Sequence, residues 1–165
     1  MSPAYKTVML TLLPEAQVRS AASPATAMAI AITRNFGGRL TIDFLSPQPA
    51  WIPYSLVTDM PGQMLAEQTR KLEAQAHASI DLAASAARQA GIDPEAQLIS
   101  LDFLALVGRA ALRAQLQDVV VVDAGGSSLR DEREIVEALL FRSGRPVIRV
   151  PATSPGNLPS KVLVA

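Results

Sequence analysis

The fold is decided by residues 118–151, which read DVVVVDAGGSSLRDEREIVEALLFRSGRPVIRVP. Four consecutive valines, Val119 to Val122, lie between an aspartate and a glycine turn, which is typical of a strand buried on both faces of a parallel sheet. Apolar residues between Glu132 and Leu140 then recur at helical spacing. Ser143-Gly144 predicts the helix end, before a second strand from Val147 to Val150. This stretch therefore predicts one strand–helix–strand unit.

The turn after the valines carries Gly125, Gly126, Ser127 and Ser128. Small residues allow a tight turn and leave several backbone N–H groups free to face an anion. A tight turn without a ligand is the simpler interpretation of the same four residues. Asp123, just before them, is expected to cap the following helix or to hold the turn.

The rest of the chain alternates three more strands with three more helices, each assigned from its apolar periodicity. The predicted strands are Tyr5 to Leu13, Arg39 to Leu45 and Ala96 to Leu101, and the predicted helices are Ser20 to Phe36, Met64 to Ala90 and Asp102 to Gln117. Because a helix separates successive strands, right-handed crossovers make the strands parallel neighbours. The pattern predicts an α/β fold with helices on both faces of the sheet.

The segment from Ser46 to Gln63 contains four prolines and the only tryptophan of the chain. It predicts an irregular loop, and loops of this length usually have a function. Trp51 and Tyr54 are candidates to stack on a planar ligand or on a partner domain. Packing of both rings onto the loop's own helix is an equally good interpretation.

Composition limits the possible functions. The chain has 165 residues, is 49% hydrophobic and carries 15 basic and 15 acidic side chains, which suits one compact domain without the basic excess of nucleic-acid or membrane-surface binders. It has no cysteine and a single histidine, His77, so it cannot form a thiol nucleophile, a zinc cluster or a multi-histidine metal site. We therefore expect no metal, no nucleic-acid partner and no membrane partner.

The first residues, Met1 to Lys6, lack the basic start and apolar core of a signal peptide, and no apolar run reaches the length of a membrane span. A cytoplasmic location is the expectation. Asp43, Asp59 and Asp123 are available carboxylates, but no nucleophile elbow, lysine-bearing phosphate loop or acid/base pair accompanies them. We therefore predict no catalytic residues.

Three phrases carry a family resemblance: Phe36-Gly-Gly-Arg-Leu-Thr41, Ser143-Gly-Arg-Pro-Val147 and the final Lys161-Val-Leu-Val-Ala165. Together with the order of strands and helices, they make the chain similar to a universal stress protein domain, and most similar to the first domain of tandem bacterial members. The resemblance implies an open five-stranded parallel sheet of order 3-2-1-4-5, the fold shared with adenine nucleotide alpha hydrolases.

The resemblance also shows where the family's nucleotide site would lie and where this chain departs from it. In the family, a Gly-x-x-Gly-x9-Gly-Ser/Thr loop after the fourth strand holds the phosphates of ATP, and this chain lacks that motif after Gly125. The family's nucleotide-contacting aspartate at the end of the first strand corresponds here to Leu12. Its glycine at the end of the fourth strand corresponds to Asp123. The resemblance therefore implies a degenerate site, with no firm cofactor and ATP as the possible one.

The chain end bears on domain organisation. We predict one domain over residues 1–151, a Pro/Gly/Ser linker over 152–160, and the first strand of a second, missing domain over 161–165. A natural single domain whose last strand pairs at a sheet edge is the alternative. The family also pairs its fifth strands across a two-fold axis, which implies a homodimer edge at Val147, Ile148, Arg149 and Val150.

Two functions remain. The first is a non-catalytic universal stress protein-type domain that serves dimerisation or partner binding in a bacterial stress response. The alternative is a module that binds ATP or another adenine nucleotide through an atypical glycine-rich loop, with weak ATPase activity.

Overall fold

A computed structural model describes residues 5–14, 20–48, 62–124 and 129–158. The predicted alternation of strands and helices is confirmed. The elements in chain order are β1 (Thr7–Leu12), α1 (Pro24–Phe36), β2 (Arg39–Pro47), α2 (Gly62–Gln89), β3 (Glu95–Leu101), α3 (Phe103–Gln115), β4 (Val119–Ala124), α4 (Leu129–Ser143) and β5 (Val147–Pro151).

The five strands form one sheet of order β3-β2-β1-β4-β5, and every pair of neighbours is parallel. This is the order that the resemblance implied. The valines of β4 are fully buried, as predicted, because β4 lies between β1 and β5 with helices on both faces. β3 and β5 are the two edges of this sheet.

Two apolar cores cover the two faces of the sheet. One face of the sheet is covered by α1 and α2, and β1 contributes Val8, Leu10 and Leu12 to it. The other face is covered by α3 and α4, and it contains Met9 of β1 and Leu13, the residue after β1. The alternation follows from the two-residue period of a strand. Each pair of helices therefore sits on one face, and the carboxyl ends of the strands meet at one edge of the sheet.

The first helix starts later than predicted. Ser20 was expected to begin it, but Ser23 is the N-cap residue and Pro24 occupies the first turn. The side chain of Ser23 accepts a hydrogen bond from the backbone N–H of Thr26, and Pro24 has no N–H to leave unsatisfied. These two residues fix the start of α1.

The glycine pair after α1 is required by two different constraints. Gly37 has φ of 59°, the left-handed conformation that ends a helix without a Cβ clash. A Cβ on Gly38 would lie 2.8 Å from the backbone oxygens of both Tyr5 and Lys6. The chain can thus turn into β2 directly against the start of β1 only if position 38 is glycine.

Three leucines that the periodicity placed among the apolar positions of helices are exposed. Leu72 of α2 is 45% exposed, and among the α2 side chains that the structure describes the buried ones begin at Ala76. Leu116, 77% exposed, lies just after the last residue of α3. Leu140 of α4 is 43% exposed, since the adjacent Leu139 takes the inward position.

Residues 152–158 return to the start of α1. Gly156 is buried with φ of 71°, and a Cβ there would lie 2.8 Å from the Cβ of Ala27 and 3.0 Å from the carbonyl oxygen of Pro24. The part of the predicted linker that the structure describes therefore packs against the domain. The predicted end of the domain at Pro151 is the last residue of β5. Residues 159–165, which include the predicted start of a second domain, lie outside the described residues.

No helix within the described ranges is long and apolar enough to cross a membrane.

Candidate functional site

A small recess lies at the carboxyl ends of β1, β2 and β4, the edge at which open α/β sheets bind ligands. Leu12, Phe44 and Asp123 line it from the strands. The remaining walls come from the residue after β1, from the start of α1 with the residues just before it, and from α2. These wall residues are Leu13, Ala21, Ala22, Ser23, Thr26, Ser79, Leu82 and Ala83.

The α1 wall of the recess is a helix N-terminus whose Thr26 N–H is already accepted by the capping residue. The Ser23 hydroxyl accepts from the Thr26 backbone N–H at 3.2 Å and shares a hydrogen bond with the Thr26 hydroxyl at 3.1 Å. Both residues are buried. A helix N-terminus favours anions, but here its capping serine takes the place where an anion would bind.

The floor of the recess is apolar and nearly filled. Leu12, the residue that replaces the expected aspartate, is 5% exposed, and Phe44 is 4% exposed. The recess that the described residues leave has a volume of about 30 Å³. That is room for one or two water molecules.

Asp123 places a carboxyl group in the same recess. It is 5% exposed and lies on β4 opposite Val150 of β5.

Several predicted site residues lie outside the described ranges. These residues are Gly125, Gly126, Ser127, Ser128, Trp51, Tyr54 and Asp59. Of the residues that the sequence analysis assigned to the nucleotide site, only Leu12 and Asp123 therefore line the recess. The phosphate nest and the aromatic ligand contacts stay predictions.

The predicted dimer edge is described. β5 pairs with β4 alone within the described sheet, with Val147 and Ile148 half-buried and Val150 only 2% exposed. Arg149 turns its guanidinium to Glu132 of α4, with N–O distances of 3.0 and 2.6 Å. This ion pair ties the edge strand to its own helix. A second chain on the edge stays a prediction.

A buried polar cluster on the opposite face was not predicted. Asp43 of β2 is fully buried and accepts two hydrogen bonds from Arg113 of α3 and one from Gln97 of β3. The signal in the sequence is an aspartate between apolar residues in RLTIDFL, which either breaks a strand or needs a buried cation. Asp43 is thus committed to an ion pair and is not a free acid or base.

Within the described ranges no group of His, Asp and Glu side chains could hold a metal ion. His77 is exposed on α2.

No model of a protein family matches the sequence, and no curated protein matches it. Among solved structures, the universal stress protein UspA from Lactobacillus plantarum aligns with a TM-score of 0.63 at 15% identity, covering 90% of this chain and 99% of that one. A universal stress protein family member from Burkholderia pseudomallei gives 0.54 at 18% identity, covering 92% and 100%.

A third structure, the universal stress protein from Archaeoglobus fulgidus in complex with dAMP, gives a TM-score of 0.51 at 13% identity and covers 89% of this chain and 98% of that one. At these identities the likeness establishes the fold. The chain has the fold of the universal stress proteins, over about nine tenths of its length.

Proposed function

We propose that this chain is a universal stress protein-type domain with a degenerate nucleotide site, which acts through dimerisation or partner binding in a bacterial stress response. The observation that carries the proposal is the recess at the strand ends. Leu12 and Phe44 line it with apolar side chains, and Asp123 adds a carboxyl group. A non-catalytic role agrees with the commitment of Asp43 to Arg113.

Nucleotide binding is tested by titration calorimetry of the chain with ATP and Mg²⁺, and with dAMP. A denatured sample is examined first for released adenine nucleotide. We expect no released nucleotide and a dissociation constant weaker than about 1 mM, which corresponds to about 4 kcal/mol. Low-micromolar binding of either nucleotide would contradict the proposal.

A matched pair of variants measures the contribution of the Asp123 carboxylate to nucleotide affinity. Asp123→Asn removes the charge from the recess and keeps the shape of the side chain, whereas Asp93→Asn makes the same change at an exposed residue, 97% exposed, before β3. We expect Asp123→Asn to bind ATP about tenfold better than the parent chain. Asp93→Asn should leave the affinity unchanged.

The alternative function is adenine-nucleotide binding, with weak ATPase activity, through Gly125 to Ser128. Two observations favour it: the Archaeoglobus structure of the same fold holds dAMP, and the recess lies beside the N-terminus of α1. The titration decides between the two functions.

The dimerisation half of the proposal rests on the geometry of β5. Val120 of β4 donates its N–H to the carbonyl of Pro146 and lies opposite Val147 in the register. In a parallel ladder alternate residues face the same neighbour, so the N–H groups of Val147 and Arg149 point away from β4. They supply donors for a strand from a second chain.

Dimerisation through β5 is tested by sedimentation measured at increasing protein concentration. We expect a dimer in the micromolar range. Arg149→Pro removes an outward N–H and should give a monomer. Arg149→Ala keeps that N–H and loses only the ion pair with Glu132, so it should remain a dimer. A monomeric parent chain at all concentrations would refute dimerisation through β5.

A further inference from the structure

Arg149 is the only charged residue of β5, and it lies in the middle of that strand. Its side chain is 51% exposed, whereas the side chain of its ion-pair partner Glu132 is only 6% exposed. Both guanidinium contacts, at 3.0 and 2.6 Å, are made to the same carboxylate oxygen, Oε1. A nearly buried carboxylate on α4 thus compensates the charge of a half-exposed arginine at the edge of the sheet.

Two other arginines near this ion pair have partners of their own. Arg145, which precedes β5, donates to the carbonyl oxygen of Gln115 at 3.0 and 2.7 Å. Arg133, the neighbour of Glu132 on α4, is paired with Glu137 one turn further along the helix. Neither arginine therefore takes the Glu132 carboxylate away from β5.

The ion pair lies on the face of the sheet that α3 and α4 cover. Arg149 pairs in the register with Val122, which belongs to the core on that face, and Glu132 is a residue of α4. Asp123, the next residue of β4, lies opposite Val150, which belongs to the other core. The carboxyl group of the recess is therefore on the other face from the ion pair.

A second β5 strand on this edge would bring two copies of Arg149 close together. The outward N–H groups of β5 belong to Val147 and Arg149, and Pro151 has none. An antiparallel copy can satisfy both donors with carbonyl groups of its own β5 in two registers. In one register, Arg149 lies opposite the partner's Arg149. In the other, it lies opposite the partner's Val147 and diagonal to the partner's Arg149.

In both registers the two arginines lie on the same face of the joined sheet. Cross-strand neighbours are about 5 Å apart when they are opposite and about 7–8 Å apart when they are diagonal. Two like charges at such distances in a partly desolvated interface repel each other. This repulsion acts in the dimer and is absent from the monomer, so it would weaken dimerisation unless each arginine is compensated.

We propose that Glu132 controls dimerisation through β5 by compensating the charge of Arg149. With Glu132 in place, each arginine enters the interface as part of a neutral pair held by its own helix. Glu132 is thus a positioning residue of the interface, and the partner is a second copy of this chain. The inference deepens the dimerisation half of the proposed function and rests on it.

The test is sedimentation of Glu132→Gln at increasing protein concentration and low salt. Glutamine keeps the shape of the side chain, and its oxygen can still accept from Arg149, so the substitution removes the charge alone. We expect the dissociation constant of the dimer to rise about tenfold. At about 1 M salt, where the Debye length is about 3 Å, the parent chain and the variant should dimerise equally.

A double variant, Glu132→Gln with Arg149→Ala, distinguishes the effect of charge from a loss of structure. It has no charge at either position, so it should dimerise with the affinity of the parent chain. If Glu132 served only to hold the structure together, the second substitution would remove a further contact and weaken the dimer more.

Glu137→Gln is the matched control, because Glu137 is on the same helix and is also paired with an arginine, Arg133 of α4. It should dimerise as the parent chain does, and circular dichroism checks that each variant is folded. If the parent chain dimerises and Glu132→Gln dimerises equally well at low salt, this inference alone is overturned. The same holds if the defect of Glu132→Gln persists at high salt or in the double variant. A parent chain that is monomeric at every concentration overturns this inference together with dimerisation through β5.

Discussion

Asp43 and Arg113 form a two-point ion pair that joins the sheet to helix α3. The Arg113 Nε lies 2.6 Å from Asp43 Oδ2, and its Nη2 lies 3.0 Å from Oδ1. The aspartate is fully buried and the arginine side chain is 24% exposed. Gln97 of β3 donates to the same carboxylate at 2.8 Å, so one buried charge connects three elements.

Removal of the cation should destabilise the fold strongly, because it leaves a buried carboxylate with a single amide donor. For Arg113→Met we expect a loss of about 3 kcal/mol in the free energy of unfolding. Urea unfolding at neutral pH measures it. Arg109→Met, at an exposed position of the same helix, should change stability by less than about 0.5 kcal/mol. Equal effects of the two substitutions would mean that the ion pair does not stabilise the fold.

At Thr11, by contrast, we predict a substitution that stabilises the folded protein. Its hydroxyl is buried beside Asp43 in the β1–β2 register and has no hydrogen-bond partner in the described part of the chain. Valine has the same shape without the polar atom, so Thr11→Val should stabilise the protein by about 1 kcal/mol.

The control for that substitution is Thr33→Val. Thr33 is also buried, but its hydroxyl donates to the carbonyl of Ala29 at 2.8 Å, so the substitution should be neutral or destabilising. Thermal unfolding of both variants provides the comparison. A destabilised Thr11→Val variant would show that the hydroxyl has a partner in the folded protein.

The return of residues 152–158 to α1 can be tested at Gly156. Gly156→Ala introduces both a left-handed alanine and a contact with Ala27, whereas Gly91→Ala introduces only the left-handed alanine, since nothing lies within 4 Å of its Cβ. The left-handed conformation costs about 1–2 kcal/mol. We expect Gly156→Ala to lose more stability than Gly91→Ala, by about 1 kcal/mol.

Hydrogen exchange locates the effect of Gly156→Ala. Faster exchange at the first turn of α1, where Pro24 and Ala27 meet the returning chain, is the expected result. Unchanged exchange there, with stability equal to that of Gly91→Ala, would show that the contact contributes nothing.

Asp118 should make stability depend on pH in the acid range. The backbone N–H of Thr7 has the largest effect and lowers the pKa of the Asp118 carboxyl. Burial, the next largest, raises this pKa, and the Lys6 N–H, the Thr7 hydroxyl and Arg145 lower it further, so that the pKa lies below its ordinary value. Because the folded pKa lies below the unfolded value of about 3.9, the stabilisation is complete above about pH 4. It is lost as pH falls through the folded pKa.

Asp118→Asn should therefore cost about 1 kcal/mol at pH 7 and progressively less below pH 4. Urea midpoints of the parent and the variant, measured from pH 7 to pH 2, follow that difference. Asp81→Asn, at an exposed position of α2, should give no such trend. A difference between parent and Asp118→Asn that stayed constant with pH would exclude the carboxylate charge as its cause.

The sequence by itself determined the architecture, because local signals specify it. The run Val119 to Val122 predicted a central strand, and the structure buries all four valines. Ser143-Gly144 and Gly37-Gly38 predicted where helices end, since few residues other than glycine adopt the required conformation. The replacement of an expected aspartate by Leu12 is also visible in sequence, and the structure places that leucine in the recess.

Only the tertiary structure decided which side chains meet. Arg113 lies 70 residues from Asp43, and Gln97 lies 54 residues from it, so no local pattern links them. The exposure of Leu116 could not be predicted from the sequence either. Helical spacing indicates on which face of a helix a residue lies, but not at which residue the helix stops packing against its neighbour. Local conformational preferences act over a few residues, whereas ion pairs and exposed side chains depend on how distant elements pack. Packing places Arg113 against Asp43 and leaves Phe141 exposed to solvent.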